Sequence, residues 1–165
     1  MDKWGVVVYR GAKWRILDRP PVLLGSHDHT IDDKNRLTLP ARFRPAFVDG
    51  IVVTRGMDGC LFAYARGDWE RLVETRLATL DPLSREGRQM QRFFFAGAAE
   101  GDLDKQGRVG LPGALLEHAK LGRDVVVLGV NDHLEIWDRA GWRRELAEVE
   151  GSAEDVAERL AAQRD

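Results

Sequence analysis

The sequence predicts a mainly β protein with packed helices, an α+β fold made of two matched halves. A twelve-residue phrase occurs twice. The first copy is Asp32-Asp33-Lys34-Asn35-Arg36-Leu37-Thr38-Leu39-Pro40-Ala41-Arg42-Phe43; the second is Asp104-Lys105-Gln106-Gly107-Arg108-Val109-Gly110-Leu111-Pro112-Gly113-Ala114-Leu115. In each, Asp and Arg stand four apart around a turn, and an apolar-small-Leu-Pro run follows. Downstream, Val125-Val126-Val127-Leu128-Gly129 answers Ile51 to Arg55, and Leu134-Glu135-Ile136-Trp137 answers Leu61 to Tyr64. The offset is 72 residues at the Asp/Arg pair and 73 from Trp69 to Trp142, so one insertion separates the copies. Two copies are too few for a solenoid and point to a pseudo-two-fold domain with two equivalent turns.

The bulk numbers bound this reading. A chain of 165 residues makes one ordinary domain or two small halves with a shared core. Hydrophobic residues are 44% and charged residues 32%, as in globular proteins. No apolar run approaches the roughly 20 residues of a membrane span. The stretch Gly5 to Tyr9 is too short for the apolar region of a signal peptide. One cysteine, Cys60, precludes a disulfide within the chain and fits a reducing cytoplasm. The formal net charge of -2 argues against a chain coated in nucleic acid and leaves room for a local basic patch.

Residues 1–21 match neither copy and end in Pro20-Pro21, so they read as a flexible extension. Their basic residues Lys3, Arg10, Lys13, Arg15 and Arg19 give a second reading, an extra arm on DNA. Ser26 to Ile31 reads as a short strand. Asp32 to Asn35 is a turn, in which Asn35 tolerates positive φ as Gly107 does in the second copy. Arg36 to Leu39 alternates and reads as the return strand of a hairpin. Pro40 suits the first position of a helix, which Pro45 limits to about two turns. Ile51 to Thr54 and Cys60 to Tyr64 are strands around a Gly56-Met57-Asp58-Gly59 turn. Asp68 is placed to cap a helix from Trp69 to Leu80, and Asp81-Pro82 stops it. A second helix runs from Ser84 to Arg92; Phe93 to Gly97 is a buried strand or a helix end, between which periodicity does not decide.

The pattern then restarts. Val109 to Leu111 is a strand, Pro112 begins a short helix to Ala119, Val125 to Gly129 and Leu134 to Trp137 are strands, and Trp142 opens a helix. Gly151 marks a hinge before a last helix, Val156 to Ala162. The expected organisation is an extension over 1–21, a first repeat over 22–82, a connecting helix and strand over 83–99, a second repeat over 100–150 and a C-terminal helix over 151–165.

The matched turns hold the candidate chemistry. Asp32 with Arg36, and Asp104 with Arg108, flank a turn and can meet. As surface ion pairs they are worth only about 0–1 kcal/mol. As working residues, each Asp fixes a guanidinium whose remaining donors read guanine O6/N7 or a phosphate in bidentate fashion. Lys34, Arg42 and Arg44 add positive charge near the first turn, as a solvated face or as phosphate contacts that position without specifying. Lys105 stands at the second turn, but Ala114 and Leu116 replace Arg42 and Arg44 there, so the two halves are expected to hold DNA unequally. His27-Asp28-His29 lacks a third ligand and is not read as a metal site. Asp32 and Asp33 point to opposite faces of a strand and do not make a carboxylate pair. Cys60 sits in an apolar strand and reads as packing. No phosphate-binding loop, nucleophile elbow or dinucleotide fingerprint is present, so neither an enzyme nor a cofactor is expected.

From Leu24-Gly25 through Asp32 to Arg44, again at Asp104 and Arg108, and at Leu134 to Asp138, the chain resembles the MraZ family of bacterial transcriptional regulators. The resemblance covers roughly residues 22–150. It implies an AbrB-like swapped-hairpin β-barrel formed by the two repeats within one chain. It implies assembly into a closed homo-oligomeric ring of the octamer or dodecamer class. It also implies binding to tandem short repeats in double-stranded DNA upstream of the division and cell-wall gene cluster, with repression of its own operon, in the cytoplasm at the nucleoid. No membrane or small-molecule substrate is implied. The family's DNA-contacting arginines fall on Arg36 and Arg108, beside Asp32, Asp104, Lys34, Lys105, Arg42 and Arg44. Val22 to Gly25 looks like the place where family members begin, which makes residues 1–21 an addition or a misplaced start. Asn35 stands where glycine is more usual. Only Asp104 is available at the second turn. The alternative is an AbrB-fold interaction module, antitoxin-like, used mainly for protein assembly.

Overall fold

The computed structural model describes residues 6–9, 12–15 and 22–164. Near the N-terminus β1 (Val6–Tyr9) and β2 (Ala12–Arg15) pair antiparallel, Val6 opposite Arg15. The expected flexible extension over 1–21, its arginines and its proposed DNA arm otherwise lie outside the described residues.

Alternating apolar residues build two layers. Six strands form one antiparallel sheet: β3 (Leu23–Thr30), β5 (Ile51–Arg55), β6 (Leu61–Ala65), β7 (Ala99–Gly101), β9 (Asp124–Asn131) and β10 (Leu134–Asp138). Their order is β3-β9-β10-β6-β5-β7. Under the repeat this order is a palindrome, since β7 matches β3, β5 matches β9 and β6 matches β10. The register agrees. At the centre Phe62 faces its own counterpart Glu135, flanked by Leu61 opposite Ile136 and Ala63 opposite Leu134.

The second layer is a two-stranded ribbon of β4 (Arg36–Thr38) and β8 (Arg108–Gly110). Its middle pair is Leu37 opposite Val109, again two equivalent positions. Matched bonds close its ends: Leu39 N–H donates to Gly107 O at 2.9 Å and Leu111 N–H to Asn35 O at 2.8 Å. One pseudo-two-fold axis therefore passes through the Leu37/Val109 and Phe62/Glu135 pairs. Leu37, Leu39, Val109 and Leu111 belong to one core with Val53, Leu61, Ala63, Val125, Val127, Leu134 and Ile136 of the sheet. A smaller cluster of Cys60, Val126, Leu128 and Trp137, with Phe62 and Trp142 against it, lies on the sheet's other face.

The α+β class and the two interlocked repeats are as expected, but several elements differ. β4 is not the ladder partner of β3. The two share a single bridge, Ile31 to Leu37, after which β4 pairs with β8 and β3 with β9. Crossing to the other repeat buries Leu37 and Leu39 from both sides, which a local hairpin would leave half wet. After Pro40 the chain makes turns and a 3-10 turn, Arg44–Phe47, rather than an α-helix. Pro45 has no N–H to donate to Ala41, so the α pattern cannot start there. The second copy lacks that proline and forms α3 (Gly113–His118) after Pro112.

Two of the helices begin three residues earlier than the sequence suggests, at Arg66 rather than Trp69 and at Arg139 rather than Trp142. Counted in chain order, α1 (Arg66–Leu72) continues as a π-helical turn, Val73–Leu77. Its N-cap is Ala65, so Asp68 is not the cap; it lies in the first turn and accepts from Arg71 Nη1 at 2.6 Å. α2 (Arg85–Gln91) is capped by Ser84, whose Oγ accepts from Gly87 N–H at 2.9 Å. It continues as a second π-helical turn, Arg92–Ala96, so Phe93 to Gly97 is a helix end. The buried Phe94 O accepts from Thr54 Oγ1 at 2.8 Å, which ties that end to the sheet. α4 (Arg139–Ala162) is one 24-residue helix capped by Asp138, which accepts from Gly141 N–H at 3.1 Å. It runs through Gly151 unbroken, so there is no hinge there. One glycine costs a helix only about 1 kcal/mol, and strong helix formers surround this one.

Candidate nucleic-acid interface

The two turns repeat each other bond for bond. At the first, Asp32 N–H donates to Arg36 O at 3.0 Å and Asn35 N–H to Asp32 O at 3.0 Å. At the second, Asp104 N–H donates to Arg108 O at 3.0 Å and Gly107 N–H to Asp104 O at 2.9 Å. Asn35 and Gly107 hold the positive φ that closes each turn, 57° and 74°. Asp32 Oδ1 accepts from the N–H groups of Lys34 and Arg36, both at 2.9 Å, and Oδ2 accepts from Arg36 Nε at 2.8 Å. Asp104 Oδ1 accepts from Gln106 and Arg108 N–H, both at 2.9 Å, and Oδ2 from Arg108 Nε at 2.7 Å.

Each carboxylate thus takes the inner Nε of its arginine. Among the described residues the Nη atoms of Arg36 and Arg108 have no hydrogen-bond partner, and the side chains are 32% and 28% exposed. An Arg fork held at Nε keeps its outer pair of donors aligned for a planar acceptor. The arginine backbone N–H is the main reason that both carboxyls lie below the ordinary carboxylate range, against some desolvation; the arginine side chains reinforce it.

Ribbon geometry puts the arginines together. Arg36 faces Gly110 and Arg108 faces Thr38. Since Leu37 and Val109 point into the core, Arg36, Thr38, Arg108 and Gly110 share the outer face. Diagonal neighbours of this kind lie about 7–8 Å apart. Thr38 and Gly110 complete this outer face; their signal in the sequence is that they occupy one repeat position, two residues past each Arg.

Lys34 and Lys105 are exposed at the two tips, and Arg42 is exposed beyond Pro40. Arg44 sits elsewhere than expected. Its Nε donates to Leu39 O at 2.9 Å, and its side chain lies over Gly107 of the second turn, where a Cβ would collide with it. Arg44, Phe47, Val48, Asp104, Lys105 and Gly107 line one open cleft of about 320 Å³. The charge that Ala114 and Leu116 fail to supply to the second turn therefore comes from the first repeat. Asp33 points away from Asp32 to an exposed ion pair with Arg123 Nη2 at 2.8 Å.

The remaining candidates are accounted for by packing. The His27 ring meets Phe43 edge-on at 5.2 Å. Burial, then the neighbouring His27 and Arg44, lowers the pKa of His29. Among the described residues no three His, Cys, Asp or Glu side chains gather as a metal set. The Cys60 thiol is buried, donates to Met57 O at 3.1 Å and is pushed by desolvation far from thiolate formation.

Beside the axis on the other face of the sheet, His133 stacks on Tyr64 with ring centroids 5.1 Å apart. Its Nδ1 lies 2.8 Å from Asp132 Oδ1 and its Nε2 3.5 Å from Glu135 Oε2, while Trp137 Nε1 donates to Glu135 Oε1 at 2.9 Å. Burial opposes the charge on His133, but the Glu135 and Asp132 carboxylates outweigh it and raise its pKa. Burial likewise opposes ionisation of Glu135, yet His133 and Trp137 lower its pKa.

Comparison with known proteins agrees with the duplication. A family model described as "MraZ protein, putative antitoxin-like" matches twice, over residues 22–92 and 94–164. A protein of Roseiflexus castenholzii named transcriptional regulator MraZ is 46% identical over 140 residues, covering 85% of this chain and 97% of the relative. Proteins of the same name from Heliobacterium modesticaldum and Thermoanaerobacter pseudethanolicus are 44% and 42% identical over 139 residues, covering 84% of this chain and 96% of each. Among the described residues no helix is long and apolar enough to cross a membrane.

Proposed function

The chain belongs to the MraZ family of transcriptional regulators, and on that footing we propose that it binds double-stranded DNA in a sequence-specific way. Arg36 and Arg108 offer their outer donors to base edges, and Asp32 and Asp104 hold them at the working angle. Lys34, Lys105, Arg42 and Arg44 contact the flanking phosphates. The observation that carries this reading is the pair of identically clamped arginines on one outer face of the β4–β8 ribbon. A two-stranded ribbon is narrow enough for the major groove, where an Arg fork matches guanine O6 and N7.

Two arginines per chain make few base contacts, so tight binding needs several chains on one DNA. We place the protein in a homo-oligomeric ring that engages tandem short repeats in its own promoter, ahead of the division and cell-wall genes, as a repressor at the nucleoid. Linked sites raise effective affinity without new contacts when their spacing fits. The test is a mobility-shift titration with the DNA upstream of this gene. Arg36→Ala and Arg108→Ala should each weaken binding while leaving the mass of the assembly unchanged. Full operator affinity in Arg36→Ala would end the assignment.

A further inference from the structure

The strands β1 and β2 make a sheet of two. A hairpin by itself is marginal in water; a third strand or an apolar surface against it supplies the missing stability. The sequence of this one is suited to a surface. Val6, Val7, Val8, Tyr9 and Trp14 fall within its strands, and Lys3, Arg10, Lys13, Arg15 and Arg19 outnumber Asp2 and Asp18 across residues 1–21. The family match begins at residue 22, so this segment lies outside it.

An uncovered apolar corner stands where that segment joins the sheet. Leu23 belongs to the main core, so Leu24, the next residue of β3, turns to the sheet's other face. There it stands opposite Val130 of β9, with Val22 just before it in the chain. Among the described residues nothing shields these three, which are 60%, 38% and 57% exposed. Carboxylates bound the corner on two sides. Asp132 is exposed at the turn beyond Val130. Asp28 lies farther along the same face of β3, and it stays 67% exposed although Arg139 Nε is 3.7 Å away.

We propose that the β1–β2 hairpin packs on this corner of its own chain, with Val22, Leu24 and Val130 beneath it and its basic residues answered by Asp132 and Asp28. The length of the connection favours it. From Arg15 to Val22 the chain spans at most roughly 25 Å, so the hairpin stays close to the corner. A tether that short gives an effective concentration on the order of millimolar, enough for a contact too weak to form between separate molecules. The chemistry favours it too. On DNA the basic residues would meet phosphates while the valines and Trp14 stayed in water; the corner offers a match to both kinds of residue.

The experiment is amide hydrogen exchange of the full chain without DNA, read by mass spectrometry on the peptides that contain β1 and β2. In the unaltered chain these amides should exchange at least tenfold more slowly than in an unstructured peptide. Leu24→Thr with Val130→Thr keeps strand-favouring residues at two exposed positions. It should abolish that protection and leave the amides of β5 and β10 as slow as before. Carbodiimide, which joins amines to carboxylates directly, should link Lys3 or Lys13 to Asp132 or Asp28. In a mixture of isotope-labelled and unlabelled protein the links should fall within single chains. Unprotected hairpin amides in the unaltered chain would overturn the proposal, and protection that appeared only on adding DNA would move the hairpin to DNA. Protection that survives the corner substitutions would overturn it as well, as would links found only between labelled and unlabelled chains, which would place the hairpin on a second copy.

Discussion

Arg44, a residue of the first repeat, lies across Gly107 at the tip of the second, anchored by its Nε to Leu39 O at 2.9 Å. It lines one cleft with Lys105 and Asp104. On the proposed DNA-binding reading, a cation so placed is expected to touch phosphate rather than bases. Arg44→Ala should weaken binding to operator and random DNA alike, and should lower the slope of log K against log salt by about 1. Anisotropy titrations over a salt series measure both; a loss confined to operator DNA would make Arg44 a base-reading residue.

Arg36→Lys keeps the charge and removes the planar fork. A bidentate base contact discriminates by about 1–3 kcal/mol. The lysine variant should therefore retain binding to random DNA and lose most of the preference for operator. Competition between the two DNAs reads this directly. Asp32→Asn should share the phenotype more mildly, because the arginine stays but loses its clamp.

Gly107→Ala and Asn35→Gly make a matched pair. Gly107 holds φ at 74°, and a Cβ there would strike Arg44 Nε. A left-handed conformation costs an ordinary residue about 1–2 kcal/mol, so Gly107→Ala should lower thermal stability and weaken DNA binding as Arg44 is displaced. Asn35 at φ 57° already accepts that conformation, and Asn35→Gly should change little in either assay.

The tips could be read from the sequence because their determinants are local. An Asp four residues before an Arg, with Asn or Gly between, specifies turn, clamp and fork within one segment. The partner of β4 could not be read, because 72 residues separate it from β8 and a local hairpin satisfies the same alternation. Arg44 was legible as a positive charge and not as a residue of the other tip, since that depends on where Pro45 sends the chain. The run of α4 through Gly151 is not legible locally, because a glycine breaks a helix only when something else favours the break.

Leu37 is fully buried at the pseudo-two-fold axis, opposite Val109. Leu37→Ala removes packing shared by both repeats and should cost about 2–5 kcal/mol. Denaturant unfolding should show one cooperative transition moved to lower denaturant. Two separate transitions would mean that the halves fold independently.

Asp132, His133 and Glu135 predict a pH profile. The raised pKa of His133 contributes stability fully present below its ordinary value of 6.5 and lost as pH rises through its folded value. The lowered pKa of Glu135 contributes stability present above its ordinary 4.5 and lost as pH falls through its folded value. Melting temperature should thus be highest between these limits, and His133→Gln should remove the decline on the alkaline side. The tip carboxylates, already lowered from 3.8, stay ionised down to that value and below it. Asp32 and Asp104 should therefore add no pH dependence to DNA binding between pH 5 and 8.

At the centre of the sheet Phe62 looks across at Glu135. Two identical chains meeting at that spot would have to set phenylalanine against phenylalanine or glutamate against glutamate. Joining the halves in one polypeptide lifts that obligation, and the two sides carry different chemistry there. The molecule consequently has a left and a right although its architecture is nearly mirrored by rotation. Anything laid along the ribbon is met by Arg36 from one end and Arg108 from the other in unlike company, so the two possible directions of approach are not equivalent.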